Sequence, residues 1–336
     1  MQATHDQLLW MYHRMLLIRE YEDTLAMVYF EGKLPPHIQK GLAFDIGAGT
    51  IPGEMHLSAG QEAAAAGVCV HLEQQDSVWG THRAHHFAIA KGVNLDRMTA
   101  EIFGKVDGLC RGKGGHMHLY DTEVNFACNG IVGAGIPHAV GAALAAKLKG
   151  NGAVAIAEFG EGAANQGSFH ESLNMASLWQ LPVVFVCQDN NYGISVNKKT
   201  STSVESNVER AAGYGMPGIR VAENDVVAMH AAAGEAIERA RRGEGPTLIE
   251  MKVDRYYGHF QGDPEGYRPK GEVRALKQND PIIRLEKQLI EQGVLNDEQV
   301  KQARASASDR VQTAIAFARA SAYPDAAEAR QHLFVE

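Results

Sequence analysis

The chain has 336 residues, 45% of them apolar, enough to bury a substantial core as one large α/β domain or two small ones. With 32 basic and 40 acidic side chains its formal charge is −8, which excludes a binder of nucleic acid or membrane surface held by charge alone. Cys69, Cys110, Cys128 and Cys187 are scattered without a CxxC pair, the usage expected of thiols packed as small apolar groups in a reducing, cytoplasmic compartment.

Leu8, Met11, Tyr12, Met15 and Leu16 recur at helical spacing, and Thr4 with Gln7 has the pattern of a capping box, so an amphipathic helix is predicted over residues 4–30. Charges interrupt this stretch every few positions, which fits neither a signal peptide nor a membrane span. Residues 33–53 are rich in Gly and Pro, lack periodicity and are predicted as loop. Ser58 and Gln61 form a second capping-box pattern ahead of an Ala-rich helix over residues 62–72.

From there strand-like apolar runs alternate with helices. Strands are predicted at 153–159, 182–187, 218–222 and from Thr247, and helices at 168–179, 204–213 and, capped by Asn224, up to 242. That alternation predicts a doubly wound, mostly parallel α/β sheet with helices on both faces and a ligand at the carboxyl ends of its strands. Beyond Asp263 the chain turns polar, and two charged helices, at about 281–292 and 297–318, fill a helical C-terminal stretch over 271–336. Without repeats or a recognisable linker, residues 1–336 are expected to form one domain.

Chemistry concentrates in AIAEFGEGAANQGSFHESLNMASLWQLPVVFVCQDNNYGIS, starting at Ala155. If one strand ends at Phe159 and its parallel neighbour at Cys187, Glu161 and Asn190 project from the same edge of the sheet. A carboxylate, an amide oxygen and a nearby carbonyl suit Mg2+, which takes about six oxygens and is usually held by one or two carboxylates together with phosphate oxygens. Gly160 and Gly162 would let a phosphate approach the backbone closely, although GEG by itself also describes an ordinary βα turn.

A GDG-type opening followed after about thirty residues by NN is the thiamine diphosphate fingerprint. The segment from Gly160 resembles the version found in alpha subunits of the decarboxylase component of 2-oxo acid dehydrogenase complexes, of pyruvate or acetoin type, and the likeness runs over most of the chain. The resemblance implies thiamine diphosphate and Mg2+, with Glu161, Asn190 and the backbone oxygen of Tyr192 as metal ligands and Gly160, Gly162 and Ala163 beside the cofactor. Glu161 replaces the family's commoner Asp. Aligning on Cys187 and Tyr192 puts Asp189 and Asn190 on the NN pair, which leaves Asn191 as an off-register second Asn.

The resemblance extends to other segments. In THRAHH, Arg83 matches a diphosphate-binding Arg, whose planar fork suits phosphate, and His82 stands where relatives usually carry Tyr. A zinc site at His82, His85 and His86 would need Cys or acidic ligands at a matching spacing, and none is present. GKGGHMH resembles the family's GKGGSMH loop, with His116 in place of Ser. NGIVGAG matches the segment whose backbone, at Gly130 and Val132, holds the aminopyrimidine ring. In DRYYGHFQGDPEGYR, Arg255 and His259 match positions near the diphosphate and the reaction centre, and Tyr267 and Arg268 close the motif. His259 and His85 are the catalytic candidates. Phe260 follows His259 where mitochondrial relatives carry a regulatory phosphoserine, and GHFQGDP is closer to acetoin-type wording than to pyruvate-type.

The family also supplies a carboxylate from a separate beta subunit. The resemblance therefore implies a chain inactive alone, an α₂β₂ heterotetramer and transfer of the acyl unit to lipoamide on an acyltransferase core. Residues 33–53 look like an insertion, expected over the active-site mouth or a subunit contact. A nicotinamide dehydrogenase is the rival from another class, but GEGAANQG breaks the GxGxxG spacing it would need. The other rival, a non-catalytic subunit of the same fold, would be favoured by loss of Arg83, Glu161, Asn190 or His259, and all four are present.

Overall fold

A computed structural model describes residues 2–33, 45–331 and 334. Helix α1 (His5–Val28) starts on the expected box: Thr4 Oγ1 accepts from Gln7 N at 3.2 Å and Gln7 Oε1 accepts from Thr4 N at 3.0 Å. Its buried stripe of Leu8, Met11, Tyr12, Met15, Ile18 and Leu25 follows the helical period. Helix α2 (Glu62–Cys69) comes next, but not on a Ser58–Gln61 box. Gln61 makes no side-chain cap, and Ser58 Oγ instead donates to the buried Glu22 at 2.6 Å, a charged partner stronger than a neutral amide. Residues 34–44 of the expected loop insertion lie outside the described residues.

The chain continues through β1 (Ser77–Gly80), α3 (His85–Lys91), α4 (Leu95–Ile102), β2 (Tyr120–Asp121), β3 (Phe126–Cys128) and α5 (Gly135–Lys149). Then come β4 (Ala155–Gly160), α6 (Gly167–Leu178), β5 (Val183–Asp189) and a small hairpin, β6 (Tyr192–Gly193) with β7 (Val196–Asn197). Strand β8 (Gly218–Val221), α7 (Val226–Arg241), β9 (Thr247–Lys252), α8 (Glu272–Leu276), α9 (Pro281–Glu291) and α10 (Asp297–Ala320) complete it. The helix predicted at 204–213 is a 3₁₀ helix, Asn207–Tyr214, capped by Ser206. Helix α7 is capped by Asp225, not Asn224, whose amide is turned inward to Gly60 O and Asp254.

The main sheet runs β2-β3-β1-β4-β5-β9-β8, parallel except for the β2–β3 pair at one edge. Its central strands β4, β5 and β9 are buried on both faces and read as mostly apolar runs, as the middle of a doubly wound sheet requires. Ala155, Ala157, Phe159, Val183, Phe185 and Cys187 pack with α5 and α6 on one face. Ile156, Val184, Val186, Ile249 and Met251 pack on the other with α1, α2, α7 and the closing helices α9 and α10. Among the described residues, no helix is long and apolar enough to cross a membrane.

Candidate active site

Strands β4 and β5 pair in parallel with Phe159 opposite Cys187 and Gly160 opposite Gln188, so both chains leave the sheet at one level. Glu161 and Asn190 meet there: Asn190 N donates to Glu161 Oε2 at 3.3 Å. Glu161 is 2% exposed, and its other oxygen, Oε1, is buried without a partner. Burial, with Asp189 adding like charge, pushes the Glu161 carboxyl up to about 7. Such a carboxylate is poised to gain from a cation that satisfies its free oxygen.

The turn beyond β5 explains the extra Asn. Asn191 has φ +72°, the left-handed region that Asn tolerates well, and Asp189 Oδ1 accepts its N–H at 2.8 Å. Asn191 thus shapes the loop while Asn190 faces the cavity. Ile194 also has positive φ (+56°), a costly conformation for a β-branched residue, and Arg255 donates to its carbonyl at 3.3 Å.

These residues line a cavity of about 380 Å³ at the carboxyl edge of the sheet. Arg83 and Arg255 form its cationic wall. Arg83 Nη1 donates to Leu57 O at 2.5 Å and Nη2 to His259 O at 2.8 Å. Arg255 Nη2 donates to Tyr267 Oη at 2.7 Å, and Tyr267 in turn donates to Asp263 at 2.6 Å. Neither guanidinium has a carboxylate within ion-pair distance among the described residues, and Arg255 Nε is buried and unpartnered. Burial, reinforced by Arg255, lowers Arg83 to about 9. Two desolvated, uncompensated cations facing one cavity are the signature of an anion site.

The dehydrogenase E1 component family model matches residues 37–327 of this chain. The chain belongs to that family. The alpha subunit of acetoin:2,6-dichlorophenolindophenol oxidoreductase of Bacillus subtilis (strain 168) is 42% identical over 337 residues, covering 100% of this chain and 96% of the relative. Its counterpart in Cupriavidus necator is 44% identical over 305 residues, 90% of this chain and 92% of the relative. The pyruvate dehydrogenase E1 component subunit alpha of Rhizobium meliloti (strain 1021) is 37% identical over 319 residues, 94% and 87% of the two chains.

In this dehydrogenase E1 component the cavity gathers His82, Arg83, Val132, Gly160, Glu161, Gly162, Ala163, Asn190, Tyr192, Arg255 and His259. Gly130 stands just behind, between the lining residues Asn129 and Ile131. Gly160, Gly162 and Gly193 line the cavity without side chains, and a Cβ on Gly162 would meet the Gly193 Cα at 3.4 Å, an ordinary contact distance. His259 N donates to Asp263 at 2.7 Å, and burial together with Arg83 lowers its imidazole to about 4. His82 Nε2 is buried without a partner.

His85 is not among the residues that line the cavity; it is fully buried behind the wall, with Nδ1 donating to Glu22 at 3.1 Å and its ring edge-on to Tyr21. Its neighbour His86 bonds Gln188 at 2.9 Å. Sequence reasoning also missed Glu158 and Gln188, which line the cavity from the strands themselves. Glu158 accepts from Thr81 N at 2.7 Å and Gln188 at 2.6 Å, and burial raises it to about 7. A carboxylate inside an otherwise apolar strand was the available signal. His56 escaped notice as well: its ring lies 4.6 Å from His82 and 4.8 Å from His259.

Proposed function

We propose that this chain is the alpha subunit of a thiamine diphosphate-dependent dehydrogenase acting on acetoin or a 2-oxo acid such as pyruvate. The reading is carried by one observation: a buried carboxylate with a free oxygen, Glu161, shares a cavity with two buried guanidiniums that lack anionic partners. A diphosphate bridged to Mg2+ answers both demands at once. The donor set fits that group, because Glu161, Asn190 and the Tyr192 carbonyl are oxygen ligands and, among the described residues, no Cys or Met lines the cavity.

In this reading Glu161, Asn190 and Tyr192 hold the metal, Arg83, Arg255 and His82 the diphosphate, and the backbone at Gly130 and Val132 the aminopyrimidine. Bound thiamine diphosphate supplies a nucleophilic carbon and an electron sink for cleaving the C–C bond next to a carbonyl. His259, kept neutral by its surroundings, can accept or donate a proton at the cavity wall. The relatives' names as alpha subunits support a beta partner. We take the assembly to be a cytoplasmic α₂β₂ heterotetramer that passes the acyl unit to lipoamide on an acyltransferase core. Acetoin is the favoured substrate, on the wording of the segment around His259 and on its two relatives at 42% and 44% identity.

Calorimetry of thiamine diphosphate with Mg2+ tests the metal and cofactor assignment, and dye-coupled turnover with acetoin and pyruvate tests the subunit assignment. Glu161→Ala should remove the Mg2+-dependent part of the affinity. Unchanged affinity in that variant, or full turnover by the chain without a beta partner, would refute the corresponding half of the reading.

A further inference from the structure

The cofactor reading leaves a file of buried polar side chains unused. Glu22, on α1, is fully buried and accepts from Ser58 Oγ at 2.6 Å and His85 Nδ1 at 3.1 Å. The His85 ring meets His116 edge-on at 5.5 Å, and His116 Nε2 lies 3.3 Å from His56 Nδ1. His56 packs edge-on against His82 and His259, the two histidines on the cavity wall. Hydrogen bonds and ring contacts together therefore link a carboxylate in the helical layer to the reaction cavity.

We propose that Glu22, His85, His116 and His56 form a proton relay that serves the cavity through His259 and His82. In it Glu22, His85 and His116 act as positioning residues. The proposal rests on the reading of this cavity as the catalytic site.

The hydrogen-bond chemistry assigns a direction. Although burial opposes it, contact with His85 and Ser58 holds Glu22 below the usual carboxylate range, so Glu22 accepts only and His85 carries its proton on Nδ1. When its ring is neutral, His85 then has a lone pair on Nε2, which is buried and unpartnered, as is His116 Nδ1 on the ring that meets it. With a proton on His116 Nδ1, His116 Nε2 accepts from His56 Nδ1, which leaves a lone pair on His56 Nε2, 4.0 Å from Glu54 Oε2, on a ring packed against the cavity histidines. A proton released from a substrate hydroxyl to His259 and on to His56 Nε2 displaces the Nδ1 proton to His116 Nε2. The His116 Nδ1 proton then moves to His85 Nε2, a step that needs a modest ring rotation. One proton enters, each ring gives up one as it gains one, and the positive charge comes to rest on His85 against Glu22. The reverse sequence returns the proton to the product. Buried imidazoles are otherwise costly to protonate, and the anchoring carboxylate offsets that cost, the logic by which an Asp supports a catalytic His.

The same geometry brings one nitrogen each of His56, His82 and His259 within 4.8 Å of one another, a spacing a metal ion could use. The electrostatics speak against it. Arg83 Nη2 stands 3.4 Å from His259 Nδ1, Arg255 shares the wall, and two unpaired guanidiniums repel a dication far more than a proton delivered next to Glu22.

The test uses the assembled enzyme with its beta partner. His116→Asn keeps an acceptor for His56 Nδ1 but cannot pass a proton, and Glu22→Gln keeps the shape but loses the anchoring charge. Both should lower kcat by at least about tenfold while KM and thiamine diphosphate affinity stay within about twofold of the parent. Folded variants that turn over at the parent rate overturn the relay. For variants that do not fold, imidazole ¹⁵N shifts of the parent chain decide: His56 protonated on Nδ1 supports the file, and His56 protonated on Nε2 overturns it. A parent enzyme that binds no thiamine diphosphate would instead sink the functional reading, an outcome the nitrogen shifts tell apart.

Discussion

Lys198 Nζ lies 2.7 Å from both Asp189 Oδ2 and Glu250 Oε1, and all three residues are buried. Asp189, at the first position of the DNN motif, therefore spends its charge on an ammonium, which leaves Asn190 as the neutral oxygen donor beside Glu161. Lys198→Met should abandon two buried carboxylates and cost about 3–5 kcal/mol. Urea denaturation measures this, and a loss below about 1 kcal/mol would show that the loop relaxes to solvate them. Glu158 offers a pH readout. Its folded pKa of about 7 exceeds the ordinary carboxyl value of 4.5, so the folded chain holds that proton more tightly than the unfolded one. The resulting stabilisation is complete below about pH 4.5 and is lost as pH rises through about 7, at roughly 3 kcal/mol for such a shift. Glu161 acts in the same direction, so Glu158→Gln in the cofactor-free chain should flatten the slope of stability between pH 5 and 8 only in part. An unaltered slope would mean that Glu158 titrates as an ordinary carboxyl.

At the scale of elements, α1 announced itself because period and cap agreed, whereas the Asn296–Gln299 box that starts α10 went unread in the sequence. Cap patterns misled where the side chain had a better partner in the interior. Ser58 and Asn224 look like caps in sequence but tie α1 and α2 to the strand-end segments through Glu22, Gly60 and Asp254. The short strands β1, β2 and β3 gave no period to read, because two to four residues cannot show one. Close helix packing was equally hidden. A Cβ at Gly67 in α2 would lie 2.8 Å from Met229 Cβ in α7, closer than side chains approach. Helix propensity favours Gly67→Ala by about 1 kcal/mol, whereas overpacking typically costs about 1–3 kcal/mol. The variant should therefore melt below the parent in calorimetry, and a higher melting temperature would show that α2 and α7 separate easily.

Across the whole molecule, the strand tips carrying Glu161 and Asn190 were legible because a parallel sheet aligns consecutive strand ends, and the register bears this out. The imidazole file was not, since His56, His85 and His116 come from three separate segments that only the fold brings into contact. The cavity mouth raises a further issue of scale. Ile131, Val132, Ile194 and Val196 line it and are each at least half exposed, an apolar rim that a free surface rarely keeps beside a binding site. Among the described residues the only carboxylates on the lining are Glu158, which is bonded to Thr81 and Gln188, and Glu161, whose free oxygen faces the proposed metal; under the proposed function an acid for the aminopyrimidine would then come from the beta partner. Hydrogen exchange can separate the two contributions. Thiamine diphosphate with Mg2+ alone should slow exchange at residues 160–163, whereas residues 130–133 and 193–197 should become protected only when the beta partner is added. Full protection of the rim by the cofactor alone would mean that a single chain closes its own site.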